Sequence, residues 1–277
     1  MIETYKREDV LNFYNKLQFN ETSNPIIQAE MIKKVNAVEK IYPDSYELVE
    51  AKKIVELGCG AGWLANSIAY YYDCYVEAVD FNLRAIDMAI KTAEKLDILD
   101  KVKFSVGDLF TYNTSPADLV ISNGVLHHMS NCMEGIKKCI SLIKKDGIIF
   151  IGLYHKYGRK PFLDYFERLK TNGMPEDELY QEYRRLDNRT SDETQAKSWF
   201  MDQVMHPYET QHTLKEVIDL FESEGVRLVK TSINQYNAIS SYDDLFEMEK
   251  ELYEVGEKYL KEGKYFPGYF YCKGMKL

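Results

Sequence analysis

Cysteine is scarce in this chain and odd in number, with five in 277 residues at positions 59, 74, 132, 139 and 272. An odd count argues against a closed disulfide set, and no pair shows metal-ligand spacing, so neither a disulfide-stapled fold nor a cysteine metal centre is expected. A reducing cytoplasm fits such a set best. Long apolar runs are missing too: the stretch 147–154 is far short of the ~20 residues that span a bilayer. The chain opens MIETYKREDV, without a charged, apolar, small-residue leader, so it is expected not to be exported. Positive charge is in deficit, with 35 Lys and Arg against 44 Asp and Glu and a net charge of −9, which works against binding nucleic acid or an anionic membrane. No repeat or low-complexity tract is visible. The hydrophobic content of 45% and charged content of 29% are those of a globular protein, which excludes disorder.

What the chain does have is a glycine-spaced turn behind a short apolar run, KIVELGCGAGW at 53–63. Ile54, Val55 and Leu57 suit a buried strand. Gly58, Gly60 and Gly62 suit a tight turn, close approach of a ligand and close packing of the helix that follows, over about 62–72. A dinucleotide fingerprint needs glycine where Trp63 stands. Glu56, two residues before Gly58, would set a carboxylate against the phosphates that a helix N-terminus attracts. An acid there suits a cation. A second strand, 75–79, leads to Asp80, placed to accept hydrogen bonds from a ribose diol.

Here the chain resembles the class I S-adenosyl-L-methionine (SAM)-dependent methyltransferases, whose first motif is an acid followed by GxGxG and whose ligand carries an ammonium, a sulfonium and no phosphate. The likeness continues through a strand at 102–106 followed by Gly107, Asp108 and Leu109, and a strand at 118–122 followed by Asn123-Gly124-Val125-Leu126-His127-His128, similar to a small-molecule "VLHH" variant. It reaches Ile143 to Phe150, similar to that family's helix, turn and fifth strand. It is close over about 53–154 and holds only in outline elsewhere. The resemblance implies an α/β fold with a seven-stranded, mostly parallel sheet, a reversed last strand and helices on both faces. It also implies SAM as cofactor, held by Glu56, Gly58, Cys59, Gly60, Gly62, Asp80, Phe81, Asp108, Leu109 and Asn123. Asp108 would take the adenine amine and Leu109 would line its ring. Cys59 reads as a small residue filling the turn, and Cys132 and Cys139 as core positions on one helix face.

Residues 1–50 read as a helical leader, with Val10, Leu11, Phe13, Tyr14 and Leu17 on one apolar face and a second helix over 27–38 after Pro25. Residues 51–277 read as the methyltransferase domain, with helical insertions at about 156–205 and 241–263. Helices are expected at 161–170 and 176–186, with the basic residues Lys156, Arg159, Lys160, Arg168 and Lys170 on a wet face. Thr213 and Glu216 form a capping box that starts a helix running to about 224. Strands are expected at 227–231 and 268–275. Asp202, His206, Glu209 and His212 are all metal-ligand types, but Pro207 keeps them off one helix face and they match no metal motif, so no metal is expected.

The reaction expected is methyl transfer to an oxygen or nitrogen, or a carbon, of a small, partly apolar acceptor. His127, His155 and His206 are the candidate bases, histidine titrating nearest neutrality. Tyr14, His128, Tyr154, Tyr157 and His212 are the candidate acceptor pocket, Tyr5 and Tyr14 being able to face the sulfonium. Two rivals stand: a SAM enzyme of the same fold with other chemistry, and a noncatalytic SAM- or partner-binding domain. The oligomeric state, a dimer included, is left open.

Overall fold

Apolar strands alternate with amphipathic helices along the chain, and the computed structural model assembles them into one layered unit. It describes residues 10, 12–14, 24–72 and 74–277. The expectations placed on Tyr5, Leu11 and Leu17 lie outside the described residues. Strands β1 (Lys53–Leu57), β2 (Tyr75–Asp80), β3 (Val102–Val106), β4 (Ala117–Asn123), β5 (Ile143–Tyr154), β6 (Val226–Thr231) and β7 (Tyr269–Lys276) form one sheet in the order β3-β2-β1-β4-β5-β7-β6. β1 to β5 pair in parallel, and β7 runs antiparallel between β5 and β6. The reversed last strand is therefore present, inserted rather than added at the edge.

Helices α1 (Pro25–Lys34), α2 (Trp63–Tyr71), α3 (Leu83–Leu96), α4 (Cys132–Ser141), α5 (Lys156–Thr171), α6 (Glu176–Leu186), α7 (Glu193–Phe200), α8 (Leu214–Ser223) and α9 (Tyr242–Lys261) surround the sheet. Successive strand residues face opposite sides. Ile54, Val76, Leu119, Ile121 and Phe150 pack under α1, α2 and α3, while Val55, Leu57, Val120, Ile149 and Ile151 pack under α4 and α8. A third apolar cluster, Phe162, Phe166, Leu179, Tyr183, Leu186, Phe200 and Val204, joins α5, α6 and α7 into a helical layer of their own. Among the described residues no helix is long and apolar enough to cross a membrane.

Three local outcomes differ from the sequence reading. Where a helix and turn were expected before the fifth strand, Ile143 already pairs with Ala117, and the register jumps between Ala117 and Leu119. Asp146, at φ 60°, takes up the bend. Helix α5 begins five residues before Pro161, because the His155 ring caps it, Nδ1 accepting from the Tyr157 and Gly158 amides at 3.3 Å each. Arg159, expected on a wet face, is fully buried. The capping box is present as expected, with Thr213 and Glu216 bonding each other's backbone.

Chain order along the sheet reverses between β1 and β4. The carboxyl ends of β1, β2 and β4 consequently open side by side, where a crevice forms in open α/β sheets.

Candidate functional site

A cavity of about 240 Å³ fills that crevice. Its floor is the glycine turn. Gly58 has φ +78°, and a Cβ on it would sit 2.4 Å from Val125 Cγ2, so only glycine lets the β1 and β4 loops approach this closely. A Cβ on Gly62 would meet Ala89 Cβ at 2.6 Å. Gly62 thus permits α2 to pack on α3, and it is not on the cavity wall, contrary to its place among the expected cofactor contacts.

Glu56, at the end of β1, faces the cavity and is 4% exposed. Its Oε2 is buried with no hydrogen-bond partner among the described residues. Burial pushes its carboxyl up to about 8, against a favourable bond from the Ala65 amide. A buried acid without a cation is held protonated by desolvation, so a positive group brought beside it would restore its charge. Asp80 closes the next strand. Its Oδ2 accepts from the Gly60 amide at 2.9 Å and its Oδ1 from the Asn82 amide at 2.9 Å, which fixes the two turns relative to each other. Burial raises its pKa as well. Asn82 then caps α3, accepting from the Arg84 and Ala85 amides.

Phe81, Asp108, Leu109 and Asn123 complete this end of the cavity. Asp108 Oδ1 accepts from the Phe110 amide at 2.9 Å, and Asn123 Oδ1 accepts from the Tyr269 hydroxyl at 2.6 Å. Cys59 also lines the cavity, but burial pushes its thiol well up, which keeps it protonated and a poor nucleophile.

At the opposite end Tyr14 and His128 line the cavity, and a segment remote in sequence backs them. Tyr14 crosses the cavity: its carbonyl accepts from Asn82 Nδ2 at 3.2 Å and its hydroxyl donates to Asp202 Oδ1 at 2.8 Å. Asp202 belongs to a wide helical turn, Met201–Met205, that continues α7 with π-type bonding, a distortion frequent at functional sites. Its Oδ2 accepts from Gln203 Nε2 at 3.0 Å and from the Tyr154 hydroxyl at 3.4 Å. His128 lines the cavity with its Nε2 3.7 Å from Asp202 Oδ1. The ring of His206 lies 3.9 Å from that of His128 and 5.3 Å from that of Tyr14, centroid to centroid.

The remaining candidates stand elsewhere. His155 is fully buried at the start of α5, which it caps, and its Nε2 meets Glu249 Oε2 of α9 at 2.8 Å; it is off the cavity wall. Tyr157 follows it on α5 and is likewise off the cavity wall. His212 bonds Thr210 through Nε2 at 2.9 Å and extends β5 through its backbone amide, which donates to Tyr154. His127 is buried behind the wall against Tyr154, whose amide donates to its Nδ1 at 3.3 Å, and burial with nearby positive groups lowers its pKa well below the ordinary value. The four-residue set weighed as metal ligands is dispersed: Asp202 and His206 stay near His128, Glu209 binds Arg159, and His212 binds Thr210.

Arg159 ties the layer of α5, α6 and α7, which stands over this end as a lid, to the loop before α8. It makes a bidentate pair with Glu209 at 2.9 and 2.8 Å and bonds the Gln203 side chain and carbonyl at 3.0 and 2.8 Å. Its guanidinium lies 4.0 Å over the Tyr154 ring.

The sequence reading missed Asn82 as a wall residue and Asp202 as the group that Tyr14 and His128 meet behind the wall. Asn82 carried a signal, an N-cap type directly before the amphipathic run of α3. Asp202 carried none beyond its acidity.

Residues 48–159 match the family model described as a methyltransferase domain. Among curated proteins, the chain is 28% identical over 167 residues to the probable (S)-tetrahydroprotoberberine N-methyltransferase 2 of Papaver bracteatum, covering 60% of this chain and 43% of that protein. It is 24% identical over 133 residues to the ubiquinone biosynthesis O-methyltransferase of Coxiella burnetii (strain Dugway 5J108-111), covering 48% and 56%. The chain spans about half the length of these curated relatives. Among solved structures, magnesium protoporphyrin IX methyltransferase from Synechocystis PCC 6803 with bound SAH shares the fold, with a TM-score of 0.52 at 14% identity over 90% of this chain and 83% of that one. Glu56, Asp80, Asp108, Asn123 and His128 fall inside the matched segment; Tyr14, Asp202 and His206 fall outside it.

Proposed function

We propose that the chain is a class I SAM-dependent methyltransferase, which its methyltransferase-domain match over residues 48–159 supports, and that it transfers the SAM methyl group to an oxygen or nitrogen of a small, partly apolar acceptor. Glu56 carries this reading: a carboxyl oxygen buried in the cavity without a hydrogen-bond partner among the described residues suits the ammonium of SAM and disfavours the phosphates of a dinucleotide. Asp80 would hold the ribose hydroxyls, Asp108 and Leu109 the adenine, and Gly58 and Gly60 the backbone passage beside it. SAM supplies the sulfonium leaving group, so the protein's share is to position and desolvate the partners. Tyr14, His128, Asp202 and His206 form the acceptor end, closed from above by the Arg159-pinned lid.

Residues 1–50 act in this reading as a cap and 51–277 as the methyltransferase domain. A cytoplasmic setting accords with five cysteines that are all free and buried. The test is incubation with SAM bearing a deuterated methyl group and a small-metabolite extract, followed by mass spectrometry. A deuteromethylated product with matching SAH supports the reading. A product carrying a different group would favour other SAM chemistry, and retained SAM without turnover would favour a noncatalytic binding domain.

A further inference from the structure

Asn123 is held at the cavity wall by a tyrosine two strands away, and a glycine on the strand between them makes the reach possible. Asn123 ends β4 and sits opposite Gly152 of β5, which sits opposite Tyr271 of β7. Tyr269, two residues earlier on β7, shares the face of Tyr271. Its ring passes over β5 and its hydroxyl donates to Asn123 Oδ1 at 2.6 Å. A Cβ on Gly152 would lie 2.3 Å from that hydroxyl and 2.5 Å from Asn123 Oδ1, so any other residue at 152 would fill the gap that the bond crosses. A glycine inside a strand weakens it and marks a close approach; the approach here is that of Tyr269 to Asn123.

Burial pushes the Tyr269 phenol well up, which keeps its proton in place. The Gly124 amide, bonded to the Gly152 carbonyl at 3.2 Å, also serves the Tyr269 oxygen. That oxygen is therefore already accepting, and its proton goes to Asn123. The Asn123 side chain also bonds the hydroxyl of Tyr271, whose ring is itself fixed, stacked on Phe150 with centroids 5.3 Å apart. A carboxamide has one acceptor oxygen and two N–H donors. With its oxygen taken by Tyr269 and one N–H by Tyr271, the Asn123 amide has a second N–H to offer.

Asn123 lines the cavity, and none of the described lining residues is Lys or Arg. SAM carries an α-carboxylate besides its two positive groups, so that carboxylate needs a neutral donor. The reading above sets the adenine at the end of β3, the ribose at β2 and the ammonium at β1; the next strand in the sheet is β4. Resting on that reading, we propose that Asn123 donates to the α-carboxylate of SAM and that Tyr269, acting through Asn123, is the positioning residue that keeps this donor toward the ligand. Turned by half a rotation about its last bond, the amide would present its oxygen to the carboxylate, a repulsive contact in place of a bond. The Tyr269 proton opposes that rotation, because it requires an oxygen and not an N–H opposite it.

The test compares two ligands of the full chain by calorimetry: SAH, and 5′-methylthioadenosine, which keeps the adenosine and the thioether and lacks the amino acid. Tyr269→Phe is expected to weaken SAH about tenfold, the worth of one hydrogen bond, and to leave 5′-methylthioadenosine within about twofold. Asn123→Ala should weaken SAH at least as much, and adding Tyr269→Phe to it should cost nothing further, since the phenol acts only through the amide. Asn123→Asp still accepts from Tyr269 but turns an anion toward the ligand, so it should weaken SAH more than Asn123→Ala does, again sparing 5′-methylthioadenosine. Equal losses for the two ligands would mark Tyr269 as a residue of the fold alone and overturn the proposal. Additive losses in the double variant, or an SAH affinity unchanged by Tyr269→Phe or by Asn123→Asp, would overturn it as well. An unaltered chain that binds neither compound would overturn the methyl-transfer reading, and this proposal with it.

Discussion

Glu56 works against the stability of the fold it serves. Its carboxyl stands near 4.5 when hydrated and at about 8 when buried at the end of β1. The folded state therefore holds a proton that the unfolded state has released, and stability falls as pH rises between those values, by at most about 1.4 kcal/mol per unit. Glu56→Gln removes this dependence. Between pH 5.5 and 8 the ligand-free wild type should lose several degrees of Tm relative to the variant, while the variant should lose most of its affinity for SAM; parallel melting curves would contradict the burial argument. Gly58 is constrained differently. Gly58→Ala adds a left-handed strain of about 1–2 kcal/mol and a Cβ 2.4 Å from Val125. Lower stability in urea together with loss of SAM binding is expected, and an unaltered calorimetric Kd would show that the turn has room to spare. That Glu56, Gly58, Gly60 and Asp80 would gather at one cavity was legible, because the strand ends and the turn that place them are local features of the chain. Asp202 was not, because its partners Tyr14 and His128 are distant in sequence and meet it only through the fold.

At the scale of elements, the wide turn that ends α7 is held by one buried cation. Arg159 binds Glu209 and the Gln203 carbonyl, so it ties α5, the turn and the loop before α8 together. Glu209→Gln would leave the guanidinium buried without its counter-charge, a loss of about 3–5 kcal/mol. Turnover should fall with the displaced Asp202 while SAM affinity holds, since the cofactor end does not touch this cluster; denaturant unfolding paired with calorimetry checks both. A parallel fall in SAM affinity would show that the two ends are not separable. Sequence read the Thr213 capping box because Ser/Thr-x-x-Glu is a local signal. It read Arg159 as wet because helical periodicity does not reveal a carboxylate fifty residues away. It started α5 late because Pro161 is the stronger punctuation mark and a histidine cap is unusual.

For the molecule as a whole, the succession of strands was legible, since apolar runs and turn residues fix element type, while the parallel sheet and the reversed β7 came from the family resemblance. The insertion of β7 between β5 and β6 follows from pairing across the chain and had no local sign. The proposed acceptor end combines His128, inside the matched segment, with Tyr14, Asp202 and His206, which lie outside it on either side. Everything proposed here depends on the cavity taking a cationic, phosphate-free adenosyl ligand. Thermal unfolding with SAM, SAH, NAD and ATP tests this most directly, since a ligand at 100 times its Kd adds about 2.7 kcal/mol to the folded state. SAM and SAH should each raise Tm by several degrees, with NAD and ATP leaving it unchanged; a rise with NAD or ATP and none with SAM would contradict the account.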